Sequence, residues 1–279
     1  MKLNTVYETG ELQCERRISV GSNMPAMHIH DVYEIYMALC SDVQVFVNDR
    51  IYALEEGDVM LFSHMDLHRV SVPPQCLYER YVLTFSPQIL PAQDRAQLLS
   101  CFDEARDYRL RMTAAEQQAF IAMLDTLAEE KQQPDFSLLG QRLALEQILL
   151  YLCRLRRSET ALPPSAPGTP DQRVHAVITY INANYSQPLS LEELAGVCFL
   201  NKHYLCRLFR QETGFCIHDY LVYRRLSAAL ALLRAGESVS AAARLSGFKS
   251  DSFFITTFKK HLGDTPYRYI RRQSDFPSC

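Results

Sequence analysis

The last third of this 279-residue chain repeats itself, and that repeat limits what the chain can fold into more than any other feature. Ser190, Leu191 and Ala195 recur 48 residues later as Ser238, Val239 and Ala243. Leu205, Phe209 and Gly214 recur 49 residues later as Phe254, Phe258 and Gly263. The internal steps of four and five are the same in both copies, so one residue has been inserted in the second copy's turn. The simplest source is one supersecondary unit present twice. In the first copy Ser190 caps a helix and Glu193 completes a capping box ahead of LEELAGV, and a second helix starts near Asn201, itself a capping residue. Helices joined by so short a turn need a small residue where they cross, and Ala195 provides it. Leu194, Leu205, Leu208 and Phe209 are the expected shared core. In the second copy Ser238 caps SVSAAARLS, Gly247 turns the chain with a positive φ, Phe248 plugs the core, and SDSFFITTFKKHLG follows.

With the cores assigned, the outer faces follow. The first unit's second helix presents Lys202, His203, Cys206, Arg207 and Arg210, with Asn201 at its start. The second unit's presents Lys249, Ser250, Asp251, Ser252, Ile255, Thr256 and Lys259. Each residue alone is as well explained by a solvated face. As a pair, the two faces have the chemistry a DNA major groove accepts, with N-terminal side chains on base edges and basic ones toward phosphates. Between the units, IHDYLVYRRLSAALALLRAG keeps Ile217, Leu221, Ala228 and Leu232 in one stripe without an internal break. About twenty residues at ~1.5 Å each give a rod of roughly 30 Å. One turn of B-DNA is about 34 Å, so such a rod can set both second helices into successive grooves.

Charge divides the same way. Residues 171–272 hold 14 Lys and Arg against 8 Asp and Glu, a net of +6, whereas residues 1–170 hold 15 against 23, a net of −8. A basic third can meet phosphates while the acidic remainder stays off the duplex. Nine cysteines without C-x-x-C pairs argue for reduced thiols rather than a disulfide frame or a zinc finger. No signal-peptide core and no run of about 18 apolar residues is present, so a soluble, cytoplasmic protein without membrane contact is expected.

Residues 158–171, SETALPPSAPGTPD, with four prolines, read as a linker. Before it, IYMAL, VQVFV, VMLF and YVLTF alternate as short strands at roughly ten-residue spacing, separated by Asn-Asp, Glu-Glu-Gly-Asp and Pro-Pro turns, as in a small barrel or sandwich. From about Asp94 the pattern turns helical. Leu138, Arg142, Leu145, Ile148, Leu149 and Leu152 give one amphipathic helix with a basic last turn, suited either to covering the barrel or to meeting a second copy.

Residues 174–272 closely resemble the DNA-binding domain of the AraC/XylS family of bacterial regulators, through LSLEELA, YLCRLFRQETG, YRRLSAALALL, Gly247-Phe248, FKKHLG and TPYRYIRR. Two positions depart from the family pattern: Asn201 stands where a Ser usually caps the first recognition helix, and Thr256 where an Arg is common. The loss of that Arg bears on the second unit's base preference, not its fold. The N-terminal part resembles the cupin-type sensor barrel of such regulators through His28, His30, Glu34, Gly57-Asp58 and His68. It departs from metal-using cupins at Ser41, Ser63 and Met65. His28 and His30 share one strand face, and with Glu34 and His68 they suit a ligand pocket, a structural barrel mouth or a His/carboxylate metal cluster.

The resemblance implies an α+β multidomain chain. Its parts are a cupin-like sensor barrel (1–93), a helical, dimerising segment (94–157), the linker (158–171) and an all-α DNA-binding domain (172–273), with helix-turn-helix units at about 190–213 and 238–262. It implies a non-enzymatic, ligand-responsive activator without cofactor that senses a small polar molecule such as a sugar. The partners implied are double-stranded promoter DNA, the effector, RNA polymerase and a second copy of the chain. The alternatives are a metal-dependent cupin enzyme and a ligand-independent regulator.

Overall fold

The structure is a computed structural model that describes residues 12–23, 32–63, 66–103, 107–135, 137–158 and 168–274. Period-2 alternation organises its first half. Strands β1 (Gln13–Asn23), β2 (Tyr33–Ala38), β3 (Val43–Val47), β4 (Arg50–Leu54), β5 (Val59–Phe62), β6 (His68–Phe85) and β7 (Arg109–Leu110) form one antiparallel sheet in the order β4-β3-β6-β2-β5-β7, curled into a nearly closed barrel. Strand β6 is its spine: residues 68–71 pair with β3, residues 80–85 with β2, and β1 runs along it from Gln13↔Thr84 to Asn23↔Ser71.

The expected Pro-Pro turn is a correction, because β6 runs straight through Pro73 and Pro74. Pairing with β3 ends at Ser71, so the prolines forfeit no bond there, and β1 absorbs the irregularity by shifting register between Val20 and Ser22. Gly21 sits in that bulge at φ 58, where a Cβ would stand 2.3 Å from the Pro74 carbonyl oxygen. The pattern of four short strands also missed β1, β4 and the length of β6.

Both faces of the sheet are buried. Tyr36, Ala38, Val43, Val45, Val47, Met60, Phe62, Val70 and Val72 fill the interior. Ile35, Met37, Val59, Leu61, Leu83 and Phe85 face outward, under helices. Those helices are α1 (Ala92–Leu98), a 3-10 turn over Leu99–Phe102, α2 (Ala114–Glu130) and α3 (Ser137–Arg157). Thr113 and Glu116 form a capping box that starts α2, whose Phe120, Leu124 and Leu127 join Leu145, Ile148, Leu149 and Leu152 of α3 on the barrel. Leu138, expected on the buried stripe, is 83% exposed, because only the middle and end of α3 reach the sheet. Strand β7 also interrupts the stretch expected to be helical.

After residue 171 lie α4 (Gln172–Asn184), α5 (Leu191–Val197), α6 (Lys202–Thr213), α7 (Ile217–Arg234), α8 (Val239–Leu245), α9 (Asp251–Leu262) and α10 (Pro266–Ser274). Helix α7 buries more than one stripe. Its first half (Ile217, Tyr220, Leu221) packs with α4 and α6, and its second half (Leu226, Ala229, Leu230, Leu233) with α8 and α9. Ala228 and Leu232, expected in the core, are therefore only partly buried. No helix among the described residues is long and apolar enough to cross a membrane.

Candidate nucleic-acid interface and effector pocket

Each copy of the repeat folds as two helices about a tight turn. Ser190 accepts from the Glu193 amide and Glu193 reaches back to the Ser190 amide; in the second copy Ser238 accepts from Ala241. Asn201 and Ser250 cap the second helices through the amides of Tyr204 and Phe253. Both second helices end on a left-handed glycine, Gly214 at φ 80 and Gly263 at φ 78. Ala195 and Ala243 are buried at the crossings, and Phe209 and Phe258 are fully buried.

The expected contact residues take the outer faces. Asn201, Lys202, His203, Arg207 and Arg210 are exposed and Cys206 is half-buried. Lys249, Ser250, Asp251, Ser252, Thr256 and Lys259 are exposed and Ile255 is half-buried. Arg207 lies over the Tyr204 ring at 5.2 Å, which holds it along the helix. Lys202 pairs with Glu192 at 2.7 Å across the turn, so a phosphate contact by Lys202 must displace that carboxylate. Helix α7 joins the units with 18 residues, about 27 Å of rod. Two features escaped the sequence reading. Phe199, in the first turn, holds φ 55 with its ring 95% exposed, where the second unit has Gly247 at φ 85. His261 of α9 bonds the Tyr223 hydroxyl of α7 at 3.1 Å, and burial, with Lys260 nearby, lowers its pKa to about 4.

In the barrel, His28 and His30 lie outside the described residues. Glu34 and His68 lie together: both are buried, with His68 Nε2 3.5 Å from Glu34 Oε2 and the imidazole stacked on Phe62 at 4.0 Å. His68 Nδ1 lies 3.0 Å from the Asp66 carbonyl. Burial pulls the imidazole pKa down, but the Glu34 carboxylate and the Asp66 contacts outweigh it and leave the value raised. Among the described residues no group of three or more His, Cys, Asp or Glu could hold a metal ion. Gly57-Asp58 stands apart from this pair. The Asp58 carboxylate accepts the Glu55 amide and faces Arg111 at 3.4 Å, closing the β4–β5 turn.

The sequence reading also missed the interior tyrosines. Tyr36, Tyr52 and Tyr78 are buried in the barrel, and among the described residues the Tyr36 and Tyr52 hydroxyls make no hydrogen bond of good geometry, although Tyr78 lies near the first and Arg50 and Asp107 near the second. Burial raises all three, Tyr52 and Tyr78 to about 12, so they stay protonated donors. Period 2 from Glu34 places Tyr36 on the same face, and that was the available signal.

Residues 194–272 match the family model described as a helix-turn-helix domain, and residues 13–151 match the AraC-like ligand binding domain. The chain belongs to the AraC family. It is a DNA-binding transcription regulator that carries an AraC-like ligand-binding domain. It is 24% identical over 273 residues to the HTH-type transcriptional activator RhaR of Escherichia coli, covering 94% of each chain. The RhaR of Shigella dysenteriae is 25% identical over 258 residues, covering 90% of this chain and 89% of the relative. Among solved structures, the DNA-binding domain of AdpA in complex with a target DNA is 24% identical, with a TM-score of 0.36, over 37% of this chain and 94% of that one. ToxT of Vibrio cholerae is 14% identical, with a TM-score of 0.37, over 93% and 96%.

Proposed function

We propose that this AraC-family protein is a cytoplasmic, non-enzymatic, ligand-responsive activator. Its two recognition helices, α6 and α9, read successive major grooves of one promoter site and bring RNA polymerase to it. The observation that carries this reading is the pair of capped, outward-facing helices at the two ends of one 18-residue helix. Asn201, Lys202, His203, Cys206, Arg207 and Arg210 serve the first groove. Lys249, Ser250, Asp251, Ser252, Ile255, Thr256 and Lys259 serve the second. The activator role is supported by relatives named as transcriptional activators.

The effector is a small polyhydroxylated molecule such as a sugar, held in the barrel by Glu34 and His68, together with His28 and His30. The protonated tyrosine hydroxyls and the buried carboxylate supply the donors and acceptor that such a molecule requires. The chain dimerises through the outer face of α3, where Leu139, Leu143 and Leu150 are solvent-exposed at helical spacing while the opposite face is sealed on the barrel.

The DNA reading is tested by Arg207→Ala in competition binding. Specific affinity should fall by about 1–3 kcal/mol while non-specific affinity changes far less. An equal loss for every sequence would remove Arg207 from base reading.

A further inference from the structure

Two thiols meet where α3 crosses the 3-10 turn that follows α1. Cys101 lies in that turn and Cys153 in the next-to-last turn of α3, and both are reduced and buried, 1% and 6% exposed. Their sulfurs converge on one acceptor: Cys101 Sγ is 3.6 Å and Cys153 Sγ 3.3 Å from the Leu98 carbonyl oxygen. Ser100 Oγ lies 3.5 Å from Cys153 Sγ. The environments differ. The neighbouring Cys101 thiol, with help from Ser100 and the Arg157 charge, outweighs burial and lowers the Cys153 thiol to about 6, while Cys153 and burial push Cys101 up. At neutral pH this makes Cys153 the thiolate and Cys101 the proton-bearing partner, the division of labour a reactive dithiol needs.

We infer that Cys101 and Cys153 form a peroxide-reactive dithiol that closes to an intramolecular disulfide, stapling the end of α3 to the turn beneath it. In the first step the Cys153 thiolate attacks one oxygen of hydrogen peroxide. The O–O bond breaks, the departing oxygen takes up a proton and leaves as water, and Cys153 becomes a sulfenic acid. In the second step Cys101 gives up its proton and its sulfur attacks the Cys153 sulfur. The S–S bond forms, the S–O bond breaks, and the departing hydroxide takes a proton as a second water. Two thiols lose two electrons and one peroxide gains them.

The position gives the staple leverage. Cys153 lies four residues before Arg157, the last residue of α3, and the chain beyond it runs on toward Gly168, which pairs with Ile51 of the barrel through two 2.8 Å bonds. The disulfide therefore clamps the place from which the chain leaves for the DNA-binding units. The same helix carries the exposed Leu139, Leu143 and Leu150.

The test treats the full-length protein with hydrogen peroxide, blocks remaining thiols after denaturation, and maps the peptides by mass spectrometry. The expected result is one internal cross-link between the Cys101 and Cys153 peptides, a loss of two hydrogens from the intact mass, and full reversal by dithiothreitol. In Cys101→Ser the sulfenic acid should persist on Cys153 and be trapped by dimedone, whereas in Cys153→Ser Cys101 should remain a thiol. Recovery of both residues as blocked thiols, while exposed Cys216 is oxidised, would overturn the proposal. Oxidation of Cys153 to sulfinic acid in the wild-type protein without any cross-link would do the same.

Discussion

The two helix-turn-helix units share a plan but not their surroundings. The core of the first is continuous with the sensor barrel. Phe46 and Leu67 of the barrel belong to the same buried cluster as Val174, Phe209 and Tyr220; Phe46 meets Phe215 edge-on at 5.8 Å, and the Tyr220 hydroxyl donates to the Asn48 carbonyl at 3.3 Å. Arg69 of β6 lies over the Phe215 ring at 5.6 Å and against Gly214, at the end of the first recognition helix. The second unit's core, from Val222 to Phe258, draws on its own helices and α10 among the described residues. One duplicated module is thus attached to the sensor, whereas the buried core of the other contains no barrel residue among the described residues. Asn48 connects this seam to His68, because its side chain donates to Asp66 at 2.9 Å and the Asp66 carbonyl contacts His68. A ligand that rearranges the His68 region acts first on the attached unit, provided it binds the two arrangements with different affinity.

The sharpest way to break this comparison is to open each core. Phe258→Ala and Phe209→Ala should each cost about 3–5 kcal/mol. Segment-resolved hydrogen exchange should confine the Phe258 loss to α8–α10 and the end of α7, whereas the Phe209 loss should spread to the barrel residues around Phe46 and Leu67. Protection that stays local in both variants would mean the seam is not cooperative. Next in size is Gly247→Ala, expected to cost about 2 kcal/mol by chemical denaturation. The left-handed φ disfavours a side chain, and a Cβ would meet the Ser186 carbonyl oxygen at 2.6 Å.

Acid should separate the units by about 1 kcal/mol after solvent screening. His261 is half-buried and held neutral, with a folded pKa of about 4 against an ordinary 6.5, so the unfolded chain takes up the proton first. Stability is intact above pH 6.5 and falls as pH drops from 6.5 toward 4. The matching position in the first unit is Glu212, and His261→Gln should abolish the drop in α9 protection while leaving α6 unchanged. The smallest expected effect is a gain. Phe199→Gly relieves a left-handed aromatic residue and should stabilise the first unit by about 0.5 kcal/mol, net of the entropy glycine adds to the unfolded chain.

How much of this was legible follows from range. The helix-turn-helix units are local: Ser190, Glu193, Asn201, Ala195 and Gly214 each act within a few residues, so spacing alone located caps, crossing and core. The barrel is not local. Strand β6 could be read through Pro73 and Pro74 only by knowing that Gly21, far away in sequence, would bulge beside them. Alternation from Glu34 held the signal for Tyr36, but Tyr52 and Tyr78 reach the same interior through long-range pairing that no single segment carries. The seam was invisible for a similar reason, since Phe46 looks like any strand residue until Phe215 is placed against it.

The proposed function requires α7 to set the two recognition helices one duplex turn apart on one face of the DNA. The most direct test takes a site bound by the intact protein and measures affinity after inserting about 5 base pairs, half a turn, between the two protected grooves, and then about 10, a full turn. The half-turn insertion should rotate the second groove out of reach of α9 and lose all contribution from Lys259. Footprints with unchanged affinity and both grooves still protected after the half-turn insertion would contradict it.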